Sequence, residues 1–236
     1  MQTSLKLNLD TPQGWQIFTF AYTHEGLSHF LGNIGLYLVL LFVLIWLLLH
    51  IKQVTAINKL LIFTLIFFPV IASALDILMF HRFFPDIKTT CGTSGLVAAV
   101  IGFLPFVWIK YLNKSYEISF YLAYFFGAYI VLLLILVYTP YKALLLVTIL
   151  IFLLILLFKI HKDLWDLIKL QGQLLRANRV YGFIGIIAIL FFIVLPIILF
   201  PIDLLKGGTF VNFFAHYIGI IYGIIAAYLY FKYKKL

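Results

Sequence analysis

Hydrophobic residues occur in long runs along this chain, and short polar stretches separate the runs. After a polar to mixed stretch at 1–26, apolar runs follow at about 27–50, 58–80, 94–110, 117–138, 141–160, 179–200 and 209–231. Each run is close to the roughly 20 residues that a helix needs to cross a hydrocarbon core of about 30 Å. The pattern predicts seven membrane-spanning helices, with the tightest joint at Thr139-Pro140-Tyr141.

Composition places the chain in the same class. Of its 236 residues, 65% are hydrophobic and 11% are charged, and the mean hydropathy of +1.14 excludes a soluble domain. The single cysteine, Cys91, excludes an internal disulfide and a cysteine-rich metal site. We therefore expect an all-α polytopic membrane protein.

The net charge of +9 is spread over the connections between the apolar runs, so it indicates membrane topology rather than nucleic-acid binding. With seven spans, one side of the membrane holds twelve of the 17 basic residues, among them Lys52, Lys110, Lys162, Arg176 and Lys234. The other side holds five: Lys6, Arg82, Lys88, Lys142 and Lys206. The excess predicts a multi-pass protein of the cell membrane with an outside N-terminus and a cytoplasmic C-terminus.

The domain organisation follows from the same runs. Residues 1–26 are predicted to form an N-terminal lead-in and outer loop, and residues 27–236 are predicted to form one membrane domain, since the sequence has no convincing internal repeat. The inner connection at 159–179 mixes charges with leucines and isoleucine, which predicts an interfacial amphipathic helix.

Ser94 is the first candidate for chemistry, because it lies between Gly92 and Gly95 at the start of an apolar run. Glycines allow a sharp turn, and a helix N-terminus offers unpaired N–H groups to a developing negative charge. The run 94–110 covers only about 26 Å as a helix. With Trp108 and Lys110 at the inner interface, Ser94 is expected below the outer surface. A helix start with a packing glycine would give the same short pattern.

Three further polar side chains are predicted at the same depth on other helices. His29 and Asn33 lie one turn apart on the first span, and His216 lies about two turns into the last. Intramembrane polar residues are costly and usually functional. Any one of them alone can also be a simple hydrogen-bond donor between helices.

Together these stretches resemble the rhomboid family of intramembrane serine proteases. Trp15-Gln16 followed by His24, His29 and Asn33 is similar to the family's W-R loop and H-x4-H-x3-N helix. Gly92-Thr93-Ser94-Gly95 matches its G-x-S-G, and His216 with Gly219 and Gly223 matches its H-x2-G-x3-G. Three features depart from the family's pattern: Gln16 replaces the arginine, no membrane-spanning helix is visible before the histidine-asparagine helix, and two extra helices are expected between the serine and histidine helices.

The resemblance implies a serine endopeptidase that cleaves transmembrane protein substrates in the lipid bilayer. Ser94 would be the nucleophile and His216 its general base, and His29, Asn33 and the Ser94 N–H would form the oxyanion hole. Gly219 and Gly223 are expected to pack closely against Gly95 and Ala99. Neither a cofactor, a metal nor a nucleic-acid partner is expected.

Further candidate residues and the function itself each have two interpretations. His24 either lines the mouth of the site or is an interfacial histidine, and Asp76 either lines the site or makes a structural hydrogen bond. The connection 201–208, with Gly207-Gly208, is either a cap over the site or a flexible loop. The alternative function is a catalytically inactive rhomboid-like factor that binds membrane proteins. A transporter would need several charges along a path, and the spans offer one, Asp76.

Overall fold

The computed structural model describes residues 2–24, 26–117, 142–177 and 212–233, with shorter pieces at 179–180, 182–183, 185–186, 205–206 and 209–210. The structure is mostly helical. Its helices are α1 (Gln16–Thr19), α2 (Leu27–His50), α3 (Val54–Phe83), α4 (Ser94–Tyr116), α5 (Lys142–Ala177) and α6 (Phe213–Tyr233), with 3-10 turns at Gln2–Leu5 and Phe20–Tyr22. The short strands β1 (Leu7–Asn8) and β2 (Thr89–Thr90) pair antiparallel, as do β3 (Leu205–Lys206) and β4 (Thr209–Phe210).

Four helices in this part of the chain are long and apolar enough to cross a membrane: Leu27–His50, Val54–Arg82, Ser94–Tyr116 and Phe214–Tyr233. They correspond to the predicted spans at 27–50, 58–80, 94–110 and 209–231. The predicted span 117–138, the joint at Thr139-Pro140-Tyr141 and most of the span 179–200 lie outside the described residues. The count of seven therefore stays a prediction.

The third span is longer than predicted. Helix α4 continues six residues past Lys110 to Tyr116, because the polar residues there do not break a helix, and it ends before Glu117, which has a positive φ of 58°. Its 23 residues cover about 35 Å. Trp108 is buried rather than placed at an exposed interface. The prediction of a short helix is thus wrong, and helix length gives no argument for the depth of Ser94.

The boundary predicted near residue 160 is also wrong. Helix α5 is continuous for 36 residues, so residues 142–160 of the predicted span and residues 159–177 of the predicted amphipathic connection belong to one helix. The stretch from Lys142 to Gln171 contains neither glycine nor proline, and a change from apolar to charged residues does not by itself interrupt the backbone hydrogen bonds.

The chain forms two compact units, one of residues 1–103 and 203–236 and the other of residues 104–202. All predicted site residues belong to the first. There α3 packs against α1, α2 and α6. Edge-to-face ring pairs join α3 to α6, with 5.7 Å between the centroids of Phe68 and Tyr222 and 5.5 Å between those of Phe80 and Phe214.

The N-terminal lead-in is an integral part of this unit. Leu7 and Leu9 are fully buried, and Leu7 pairs with Thr90 across the β1–β2 ladder. Asp10 forms an ion pair with Lys88 at 3.0 Å, although both side chains are half-exposed and the pair contributes little to stability. The burial of the leucines therefore holds the lead-in against the segment that leads to Ser94.

Candidate active site

Ser94 is the first residue of α4, and two backbone features fix the turn before it. Gly92 adopts φ +149°, a conformation that L side chains rarely adopt, and its N–H donates to the carbonyl oxygen of Phe20 over 3.0 Å. The Ser94 side chain is 7% exposed. The hydroxyl therefore lies at a helix N-terminus, where the first N–H groups have no partner within the helix.

Helix α4, which begins at Ser94, and helix α6, which contains His216, are joined by close backbone contacts at small residues. A Cβ atom on Gly95 would lie 3.1 Å from the carbonyl oxygen of Ala215. One on Gly219 would overlap the carbonyl oxygen of Gly95, and one on Gly223 would overlap that of Ala99. The structure thus brings Gly95, Ala99, Gly219 and Gly223 together in one glycine interface between α4 and α6.

Gly102 extends this interface by one turn and was missed at the sequence level. A Cβ atom there would lie 2.9 Å from the Cα of Gly223. Its spacing of seven residues after Gly95, two helical turns, was the signal that could have identified it. Contacts run in the same order along both helices, so α4 and α6 are parallel in this unit.

His216 lies in the first turn of α6 rather than about two turns into the helix as predicted, because the helix begins only at Phe213. Its side chain is 6% exposed. It directly follows Ala215, whose carbonyl oxygen faces Gly95, and it lies three residues before Gly219 on the same helix face. Ser94 directly precedes Gly95. The serine and the histidine therefore lie at the same end of the two interlocked helices.

Asn33 and His24 form a buried pair beside the serine segment. The Nδ2 atom of Asn33 lies 2.8 Å from the Nε2 atom of His24, and both side chains are 8% exposed. The hydroxyl of Thr93, the residue before Ser94, lies 3.3 Å from both ring nitrogens of His24. His24 thus links α2 to the residue that precedes the serine.

His29 occupies the rim of this cluster rather than its centre. Its side chain is exposed, and its ring meets that of His24 edge-on with 5.0 Å between centroids. The motif contains both histidines, and sequence reasoning gave His29 the larger role. Only the path of the chain before Leu27 decides which imidazole faces Asn33, and spacing along a helix does not contain that information.

A cavity of about 330 Å³ opens beside His24, with Tyr22, Thr23, Leu27 and Phe30 in its lining. Burial, and to a lesser degree Tyr37, raises the pKa of Tyr22, whose hydroxyl donates to the carbonyl oxygen of Leu65 over 2.6 Å. A larger cavity of about 660 Å³ lies between the start of α3 and the end of α6, and none of the candidate site residues lines it. Of these two cavities, the smaller lies next to the candidate site.

Gln16, which stands where the family motif has arginine, ties the lead-in together. Its Oε1 accepts hydrogen bonds from the N–H groups of Asn8 and Gln13 at 3.2 and 3.0 Å, and its Nε2 donates to the carbonyl oxygen of Ser4 over 3.3 Å. A neutral amide is well suited here, because it both accepts and donates, whereas a guanidinium only donates.

Asp76 is fully buried and is hydrogen-bonded to Asn212, a residue that sequence reasoning missed. The Nδ2 atom of Asn212 donates to Asp76 Oδ2 over 2.6 Å and to Thr90 Oγ1 over 2.7 Å. Asn212 lies directly before α6, and an asparagine before an apolar helical run is a recognisable N-cap signal. Asp76 thus lies under the start of the histidine helix.

The connection before α6 contains the β3–β4 ladder, in which Leu205 pairs with Phe210 and Lys206 with Thr209. Gly207 and Gly208 lie outside the described residues, so the cap over the site stays a prediction. Within the described ranges, no three His, Cys, Asp or Glu side chains are grouped so that they could hold a metal ion.

The comparisons with known proteins give no assignment. No protein-family model matches this chain, no curated protein matches it, and no solved structure matches it. The similarity to rhomboid proteases therefore depends on the motif residues alone.

Proposed function

We propose that this chain is a rhomboid-like intramembrane serine endopeptidase in which Ser94 and His216 act as a catalytic dyad. The observation that carries the proposal is the glycine interface between α4 and α6. It joins the residue after Ser94 to the residue before His216, and any larger side chain at Gly95 or Gly219 would force the two helix starts apart. Both helix starts are buried, as expected for a site that excludes bulk water.

The proposed reaction has two steps. In the first, the Ser94 Oγ attacks the carbonyl carbon of the scissile peptide bond while His216 takes the hydroxyl proton. His216 then gives this proton to the amine as the C–N bond breaks, leaving an acyl ester on Ser94. In the second step, water loses a proton to His216 and attacks the ester carbonyl carbon. The bond between this carbon and Ser94 Oγ then breaks, and His216 returns the proton to Oγ, which releases the new carboxyl terminus and restores the serine.

The oxyanion of each tetrahedral intermediate needs hydrogen-bond donors. The Ser94 N–H at the start of α4 and the side-chain amide of Asn33 are the proposed donors, with His29 at the rim as a third. Asn33 uses one N–H toward His24 and retains another. His24 is then the group that orients the Asn33 amide, while Thr93 connects His24 to the serine segment.

The substrate class follows from the environment. The four apolar helices support a membrane location, and the basic residues favour a multi-pass cell-membrane protein with its N-terminus outside. A substrate helix in a bilayer has its carbonyls hydrogen-bonded within the helix, so cleavage requires local unwinding. We expect preferred cleavage of segments that contain small or helix-weakening residues near the outer boundary, and slow cleavage of polyleucine segments.

The direct test uses purified protein in lipid with a single-span substrate. The wild type should cleave it, Ser94→Ala should abolish cleavage, and Ser28→Ala should leave it unchanged, because Ser28 is an exposed serine at the start of α2. Equal cleavage by the wild type and Ser94→Ala would contradict the proposal. Retention of the substrate without cleavage would instead favour the rhomboid-like binding factor.

A further inference from the structure

We propose that Asp76, Asn212 and Thr90 form a positioning cluster that holds the first turn of α6, and with it His216, against the segment that precedes Ser94. The cluster is defined by the two hydrogen bonds that Asn212 donates to Asp76 and Thr90. Its role rests on the proposed function, because it acts through His216 as the general base.

Asn212 connects three separate parts of the unit. One N–H of its amide points to Asp76 in α3, and the other points to Thr90 in β2, four residues before Ser94. Its Oδ1 accepts the N–H of Ala215 over 3.0 Å and so caps α6. Because donors and acceptor are all engaged at once, the amide has a single orientation and fixes the helix start in three directions.

The cluster acts on the residues next to both catalytic groups. Ala215, which Asn212 caps, precedes His216, and its carbonyl oxygen faces Gly95. Thr90 pairs with Leu7 in the β1–β2 ladder that supports the segment leading to Ser94. A displacement of Asn212 would therefore shift the histidine relative to the serine, even though Asn212 needs no contact with substrate.

A contribution to folding stability does not by itself explain why a carboxyl group is buried at position 76. Its side chain is fully buried, and its Oδ1 has no hydrogen-bond partner among the residues that the structure describes. A buried carboxyl group with an unsatisfied oxygen costs free energy that an apolar side chain at this position would avoid. Positioning of Asn212 gives a functional reason for a carboxyl group at this place despite its cost in folding free energy.

The test compares variants that separate capping from positioning. Asn212→Ser keeps an N-cap oxygen but is too short to reach Asp76, and Asp76→Leu removes the acceptor. Asp76→Asn keeps an oxygen that can accept the Asn212 N–H. Ser73→Ala is the matched control, because Ser73 is also buried in α3 but donates to Val70 of its own helix.

We expect Asn212→Ser and Asp76→Leu to lower kcat by about 10- to 100-fold with KM unchanged, as a small misplacement of a catalytic group does. Asp76→Asn should restore most of kcat, and Ser73→Ala should have the wild-type value. Thermal unfolding of each variant in detergent should show that the folded fraction at the assay temperature is unchanged.

Wild-type kcat in Asn212→Ser and Asp76→Leu would overturn the positioning role alone. A kcat that falls only in proportion to the folded fraction, without recovery in Asp76→Asn, would also overturn it. The proposed function is tested separately by the wild type and Ser94→Ala. If the wild type and Ser94→Ala cleave the single-span substrate equally, or if neither cleaves it, His216 is not a catalytic base. The proposed function and the positioning role then both fail.

Discussion

The side-chain amide of Asn33 lies 2.8 Å from His24 Nε2, although His24 precedes helix α2 and Asn33 lies within it. The segment before α2 therefore lies beside the first turns of the helix, and both polar groups are buried. It also leaves His29, which shares a helix face with Asn33, exposed at the rim.

We predict that His24→Ala impairs the protein more than His29→Ala. Removing the His24 ring leaves the buried Asn33 amide without its partner, which costs about 1–3 kcal/mol and releases the amide from its orientation. Both kcat and the free energy of unfolding should fall. His29→Ala should change the free energy of unfolding little, because its side chain is exposed. A larger loss of folding stability in His29→Ala would contradict the assignment.

Asn33→Ala should lower kcat by about 100- to 1,000-fold if its amide donates to the oxyanion, which is the usual loss for one such donor. KM should stay near the wild-type value, because the interaction forms only as the reaction proceeds. Steady-state kinetics on the single-span substrate measure both constants. A change confined to KM would show that Asn33 binds substrate and does not stabilise the intermediate.

Gly219→Ala should separate α4 from α6. The added Cβ would overlap the carbonyl oxygen of Gly95, and overpacking of this kind costs about 1–3 kcal/mol. Gly35→Ala in α2 is the control, because a Cβ there meets nothing within 4 Å, and alanine is a better helix former than glycine. Thermal unfolding and cleavage should both be impaired only in Gly219→Ala. Equal effects of the two substitutions would contradict the glycine interface.

The N-terminal lead-in should be required for the site. Leu9→Ala removes a fully buried side chain beside the β1–β2 ladder and should destabilise the protein by about 2–5 kcal/mol. Leu5→Ala is the control, since Leu5 is exposed. The free energy of unfolding from denaturant titration measures the difference. If both variants have wild-type stability, the lead-in does not support the serine segment.

The sequence predicted what depends on local composition. The run at 27–50 coincides with α2, because an uninterrupted apolar stretch of span length leaves little choice of structure. The predictions were wrong where polar residues were taken to end a helix, at Lys110 in α4 and near Lys159 in α5. Charged residues such as lysine continue a helix as well as apolar ones do.

Contacts between distant segments could not be predicted in the same way. Asp76 and Asn212 are 136 positions apart, and nothing in either segment indicates the other. The β1–β2 ladder has two residues per strand, too few for an alternating pattern. Motif spacing predicted Ser94, His216, His29 and Asn33 as candidate site residues, but the position of His24 beside Asn33 depends on the path of the chain before α2.

Covalent labelling tests most directly the proposed role of Ser94 as a nucleophile that His216 activates. The protein in lipid is incubated with a fluorophosphonate, and the modified residue is identified by mass spectrometry of its peptides. We predict that the wild type is labelled at Ser94, and that His216→Ala is folded but labelled far more slowly. Absence of label on Ser94 in the folded wild type, or equal labelling rates in the wild type and His216→Ala, would contradict the account.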